Sequence, residues 1–299
     1  MHQLRIILFL ILCASTGKSQ LNDSSSLQEI AFSSLSQRDP NPLADKALAI
    51  HPEQWKHAET EHFIYHFVHS YVATPVSVEA EFHYRVVAKG LEREQPAGDI
   101  KSHIYIFEGT EEWQQFQLFG TLEKWTGGIH SEGSLFIQRD PHYKFSGNLL
   151  GHEIVHLVMH RFYTSAIPRW LDEGLAQYLS KDAHASYQRA RGYLSKPHSE
   201  AIAAEEFIPV TTLLGYSSYP AADHIHLFYN ESERLVRFLA ETDRPAFLKM
   251  VDALARHQPF ETALSQHYSS HFTNVSDLET KFREYASKDF GTSLQQASN

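Results

Sequence analysis

The chain has 299 residues, a formal net charge of −10 with its histidines neutral, and 42% hydrophobic residues. This length and hydrophobic content suit one large domain or two small lobes around a substantial core, and they exclude a disordered protein. The acidic balance, without any run rich in lysine and arginine, argues against nucleic acid and anionic membranes as partners.

The N-terminus has the order of a secretory signal peptide. Arg5 precedes an almost wholly apolar stretch, residues 6–14, and small or polar residues follow at 15–19. The apolar stretch is too short for a stable membrane-spanning helix, which needs about 20 residues. We expect cleavage within 15–19 and a mature protein that is periplasmic or secreted and has no membrane span. Cys13, the only cysteine, would be lost with the signal peptide.

Residues 20–56 are predicted to form a loose leader before the folded domain. They are rich in serine, contain several prolines and include one short amphipathic stretch. We expect no chemistry in this segment. Inhibition of the site by the segment, in the manner of a propeptide, stays open.

Strands and helices then alternate. Strands are predicted at 62–67 and 103–107, and the spacing of apolar residues predicts a helix at 76–91 between them. Another short strand is predicted at 134–137, after a stretch with turn-like glycines.

His152, Glu153 and His156 form the motif H-E-x-x-H within an apolar stretch. Residues four apart share one face of a helix, so both histidines can bind the same ion, while Glu153 projects about 100° further round. The apolar neighbours indicate a buried helix, in which polar side chains need partners. A zinc ion would satisfy both histidines, and Glu153 could take a proton from the water that the metal activates.

A second helix is predicted at 168–179. Glu173 faces apolar and small neighbours there and needs a cation, so we predict it as the third zinc ligand. Gly174 would let another helix approach closely. Asp172 is expected to face elsewhere, and Gln177, one turn after Glu173, could hydrogen-bond a ligand.

The combination of H-E-x-x-H with W-L-x-E-G on a second helix resembles the gluzincin metallopeptidases, most closely the peptidase MA-like group of small bacterial proteins. Sixteen residues separate His156 from Glu173, close to the loop length of that clan. The resemblance implies an α+β, zincin-like fold, with an N-terminal mixed sheet lobe whose edge strand lies beside the cleft and a C-terminal, mainly helical lobe. It also implies one zinc ion per chain and a peptide or protein substrate.

The expected catalytic domain spans residues 57–290, followed by a tail at 291–299. The sheet lobe would end at 145 and the helical lobe would begin at 146. Helices are predicted in the second lobe at four places: 222–240, 244–255, 259–267 and 275–286.

Two further roles follow from the resemblance. The strand at 134–137 would be the sheet edge that pairs with an extended substrate. Tyr229 would stabilise the oxyanion from the helical lobe, with His224 and His226 as alternatives. His160 lies one turn beyond His156 on the same helix face, so it could replace a ligand or support one. A metzincin site is excluded because Phe162 stands where its third histidine would be.

The predicted function is a zinc-dependent peptidase in which His152, His156 and Glu173 hold the metal and Glu153 is the general base. An endopeptidase is favoured because the amine-binding stretch of gluzincin aminopeptidases is missing, and only Glu132 offers an anion near that position. The alternative is a peptide-binding or folding-factor module that keeps the zinc site without turnover. The substrate and the oligomeric state stay open.

Overall fold

The computed structural model describes residues 27–93, 100–124, 126–139, 148–163, 167–221 and 223–288. The predicted signal peptide lies outside the described residues, so cleavage and secretion stay predictions. No helix in the described part of the chain is long and apolar enough to cross a membrane.

The first half of the described chain contributes a five-stranded mixed sheet. Its strands are β1 (Lys56–Glu59), β2 (Phe63–Phe67), β3 (Ser102–Phe107), β4 (Gly128–Ser131) and β5 (Ser134–Gln138). Their order across the sheet is β1-β2-β3-β5-β4. The inner pairs, β2 with β3 and β3 with β5, are parallel, whereas the two outer pairs are antiparallel. The predicted α+β fold with a mixed N-terminal sheet is therefore confirmed.

Helices cover the sheet and form the second half. They are α1 (Pro42–Leu48), α2 (Ser70–Gly90), α3 (Thr110–Gly120), α4 (Leu149–Phe162), α5 (Arg169–Ala190), α6 (Val210–Leu214), α7 (Ile225–Thr242), α8 (Arg244–Ala255), α9 (Phe260–His267) and α10 (Val275–Ala286). The mainly helical second lobe is as predicted.

Parallel strands need cover on both faces, because both of their faces carry apolar side chains. On one face, Ile104 and Leu135 join the main core, which α2, α4, α5, α7 and later helices complete. On the other face, Tyr105 and Phe136 pack with residues of α1 and α3 in a smaller core.

Residues 27–56 are more tightly packed than a loose leader. The predicted amphipathic stretch is α1, in which Ala44 and Ala47 are buried in the smaller core. Asn41 accepts a hydrogen bond from the Leu43 N–H as the α1 N-cap, and its Nδ2 donates to the Ser131 carbonyl, 2.7 Å away. This part of the segment does not line the cleft described below. The division of the chain into a leader and a catalytic domain at 57–290 stays a prediction.

The edge strand beside the cleft is β4, so the assignment of this role to residues 134–137 was wrong. Those residues form β5, which lies between β3 and β4. Of the glycines that suggested a turn, Gly128 begins β4, whereas Gly133 does lie in the turn, which is the two-residue Glu132-Gly133 connection. Both of its residues have positive φ, at 45° and 85°, as tight hairpin turns that match the twist of the strands require.

Candidate metal centre and active site

A long cleft separates β4 from the helical lobe. Residues of β4, α4, α5, the segment 198–209 and the beginning of α7 line it. Its volume is about 1980 Å³, well above the roughly 300–1,000 Å³ of pockets for small molecules. The cleft is therefore large enough for a polymer segment several residues long.

Three potential ligand atoms meet in this cleft. His152 Nε2 lies 3.1 Å from His156 Nε2, and Glu173 Oε2 lies 3.4 Å from each of these nitrogens. Ligand atoms at about 2.0–2.1 Å from a tetrahedral zinc ion are about 3.3–3.4 Å apart. The triangle therefore has the size that a tetrahedral zinc site requires.

The electrostatics of the triangle also favour a cation. Glu173 is buried, and its Oε2 atom makes no hydrogen bond. Burial lowers the pKa of His156, but Asp172 and Glu173 outweigh this effect and hold that pKa well above its usual range. Burial likewise opposes the charge of Glu173, yet the neighbouring His156 and His152 keep its pKa far below normal. The two carboxylates thus attract positive charge to this point, as a proton or a metal ion.

Asp172 belongs to the site, so the expectation that it faces elsewhere was wrong. Its Oδ1 atom lies 3.0 Å from His156 Nδ1, and its Oδ2 atom lies 3.3 Å from His160 Nε2. A carboxylate that accepts from Nδ1 fixes the tautomer in which Nε2 is free to bind a metal. His160 therefore supports Asp172 and is partly exposed beyond the triangle.

Two tyrosines extend the site toward the helical lobe. The hydroxyl of Tyr219 donates to Glu173 Oε1, and the hydroxyls of Tyr219 and Tyr229 are hydrogen-bonded to each other. The Tyr229 ring lies 6.2 Å from the His152 ring, between centroids. Burial, together with nearby Glu173, raises the pKa of Tyr229, so its hydroxyl keeps its proton at neutral pH.

Glu153 lies between the metal triangle and the edge strand. It is buried, and its carboxylate accepts a hydrogen bond from the backbone N–H of His130 in β4. Burial raises the pKa of the Glu153 carboxyl, which suits a group that must both take up and release a proton. Gly128 of β4 allows α4 to lie close to the strand, since an added Cβ would lie 3.2 Å from Leu149 Cδ1 and 3.4 Å from Glu153 Cγ.

The peptidase MA superfamily model matches residues 89–287. The chain belongs to the peptidase MA superfamily. A search of curated proteins found no match. Membership in the peptidase MA superfamily indicates a peptidase-like, hydrolytic function, and this superfamily is typically metal-dependent.

The other residues predicted for this peptidase MA superfamily member are less closely involved. His224 and His226 line the cleft but are exposed. Gln177 also lines it, and its side chain makes no hydrogen bond to a triangle residue among those the structure describes. Glu132 is exposed at the hairpin turn and is not part of the cleft lining.

The sequence reasoning missed Asp172, Tyr219 and His130. Neither His130 nor Tyr219 belongs to a sequence motif. The short edge strand β4 brings His130 to the site, and an irregular segment before α7 brings Tyr219 there. Asp172 stands next to Glu173 in the sequence, but its contact with His156 is a tertiary contact between α5 and α4 that no local pattern indicates.

Proposed function

We propose that the protein is a zinc-dependent endopeptidase in which His152, His156 and Glu173 hold the metal. The observation that carries this proposal is the triangle of ligand atoms beside a buried glutamate, Glu153, in a cleft that borders a sheet edge. A site that only held the fold together would need neither an adjacent base nor a position beside an open cleft.

A zinc ion bound there would act as a Lewis acid on water and on the substrate carbonyl. Glu153 accepts a proton from the attacking water and delivers it to the leaving amine. The hydroxyl of Tyr229, which donates to the Tyr219 oxygen in the structure, turns to donate to the oxyanion that develops on the carbonyl oxygen, and such a donor typically contributes about 3 kcal/mol. Tyr219 and Asp172 act indirectly, because they hold Glu173 and His156 in position.

The substrate would bind as an extended strand along β4. β4 pairs with β5 on one side, and its other side is free of strand partners in the described part of the chain. Backbone hydrogen bonds to such an edge hold a peptide with little regard to its sequence. Because Glu132 is away from the cleft lining, it does not anchor a free amino terminus, which supports cleavage at internal bonds.

The test combines metal content with cleavage of a denatured-protein mixture. We expect Glu173→Ala to lose an equivalent of zinc, and Glu153→Gln to keep its zinc while losing at least about a hundredfold in rate. The matched control is Glu132→Gln, an exposed glutamate outside the cleft lining, which should behave as wild type. Wild type that binds zinc and peptide without any cleavage would instead identify a binding module.

The position of cleavage is tested with one peptide in two forms, with a free and an acetylated amino terminus. An endopeptidase cleaves both forms at similar rates. Loss of cleavage on acetylation would contradict the endopeptidase proposal and would indicate that a cleft acid such as Glu123 binds the amine.

A further inference from the structure

A second cluster of potential ligands lies outside the cleft. Glu79 and His83, one turn apart on α2, meet His184 of α5, and one ligand atom from each lies within 4.8 Å of the others. None of the three residues lines the cleft that contains His152 and Glu173. The cluster is therefore distinct from the proposed catalytic centre.

His83 is fully buried, and neither of its ring nitrogens has a hydrogen-bond partner. The Nδ1 atom of His184 is also buried without a partner. Buried polar atoms are rarely left in this condition, because each one loses its hydrogen bonds to water without gaining a partner in the protein. Burial, with smaller contributions from His184 and Arg139, lowers the pKa of His83 to about 3. The imidazole is thus neutral at physiological pH, which is its ligand form.

The remaining contacts orient the cluster. Arg139 binds Oε2 of Glu79 at 2.9 Å, and Oε1 of Glu79 lies 4.0 Å from His83 Nε2. On its other side, the His83 ring fits against Gly151 of α4, where an added Cβ would collide with Nδ1. The His83 ring is therefore fixed between α4 and the two other members of the cluster.

We propose that Glu79, His83 and His184 bind a second divalent transition-metal ion, with zinc as the best chemical match. Two imidazoles and one carboxylate are a common zinc ligand set, and water can take the remaining tetrahedral position. The ion would join α2 of the sheet lobe to α5 of the helical lobe. Since α4 packs against both helices, this link would hold the helix that carries His152 in place.

The number of metal ions per chain tests the proposal. We would dialyse the full chain against trace zinc and measure metal by mass spectrometry in wild type, His83→Gln, His184→Gln, Glu173→Ala and the double variant His184→Gln/Glu173→Ala. We expect two equivalents in wild type, one in each single variant and none in the double variant. His267→Gln, a half-buried histidine at the end of α9 outside the cluster, is the control and should keep two equivalents.

A stability measurement makes the test independent of the catalytic site. Zinc added to chelator-treated Glu173→Ala should raise Tm by about 5 °C, and it should not raise the Tm of the double variant. If His83→Gln fails to fold, His184→Gln still decides the question, because His184 is only half-buried. Two results would overturn the proposal. In the first, wild type binds only one equivalent of zinc and Glu173→Ala binds none. In the second, His184→Gln still binds two equivalents of zinc. The second zinc ion is counted in Glu173→Ala, in which the proposed catalytic site is already empty. If no zinc is found in that variant, only the second site is contradicted, and the peptidase proposal is unaffected.

Discussion

Tyr219 and Tyr229 both lie near the carboxylate of Glu173, but we expect them to have different roles. Tyr219 donates directly to the oxygen of Glu173 that is not part of the ligand triangle. Tyr229 lies near His152 and lines the cleft, where a substrate carbonyl would come close. The two phenols should therefore affect different measured quantities when each loses its hydroxyl.

We predict that Tyr229→Phe lowers kcat by about 10²–10³-fold and leaves zinc affinity nearly unchanged, because an oxyanion donor acts only in the transition state. Tyr219→Phe should weaken zinc binding by about 10–100-fold, as expected for a group that orients a ligand. Its kcat at saturating zinc should stay within a few-fold of wild type. Zinc titrations and steady-state kinetics on the same preparations measure both effects. A loss of kcat in Tyr219→Phe that saturating zinc does not restore would identify Tyr219 as the donor.

At the scale of single residues, the sequence predicted the residues that one helix or one motif brings together. His152, Glu153 and His156 depend only on helical periodicity, and Glu173 on a second helix at a usual distance along the chain. Asp172 was misjudged because the contact with His156 depends on how α5 is rotated against α4. Tyr219 lies in an irregular segment, so no periodic pattern predicted its contact with Glu173.

At the scale of helices, the site depends on the close crossing of α5 and α7. A Cβ added to Gly174 would lie 2.5 Å from the Ser232 carbonyl oxygen and 2.7 Å from Val236 Cγ2. The sequence had suggested a close approach of another helix at Gly174, and the structure confirms it. Since Glu173 is the adjacent residue, any separation of these helices would also move a proposed ligand.

We predict that Gly174→Ala destabilises the protein by about 1–3 kcal/mol, because the backbone of α7 must move away. The same variant should also bind zinc more weakly than wild type. Gly90→Ala at the end of α2 is the control, since its added Cβ would have no atom nearer than 3.5 Å and would restrict the unfolded chain. Denaturant unfolding and zinc titration measure the two effects. Equal stability of Gly174→Ala and wild type would contradict this prediction, because it would show that α7 can move to accommodate the methyl group without a loss of stability.

Among the elements, helices with clear signals at their ends were predicted best. α8 and α10 have the predicted bounds, since Asp243 and Asn274 cap their first turns and amphipathic spacing continues to their ends. β4 was missed because it is four residues long and begins with glycine, which favours a turn over a strand in isolation. Only its pairing with β5 makes it a strand, and that tertiary contact cannot be read from local pattern.

On the scale of the whole molecule, the chain has a net charge of −10, and part of its acidic surface borders the cleft where a substrate would enter. Exposed acids line the cleft: Glu123, Glu200, Glu205, Glu206 and Asp223. The lysine and arginine side chains of the lining are engaged, with Arg169 lying over the Tyr219 ring and Lys181 beside Glu233. The segment that carries Glu200 is fixed by Arg234 of α7, which donates to its backbone carbonyl groups.

We predict that this acidic rim selects basic peptides. A peptide with lysine or arginine on both sides of the cleaved bond should have a kcat/KM about tenfold higher than the same peptide with glutamate, and the ratio should fall as salt is raised. Replacing Glu200, Glu205 and Glu206 with glutamine should remove most of this preference. The control triple variant replaces glutamates at 53, 261 and 284, which are exposed and outside the cleft lining, and it changes net charge by the same amount. If both triple variants lose the preference equally, net charge and not the cleft rim selects the substrate; if neither does, short-range contacts in the cleft select it.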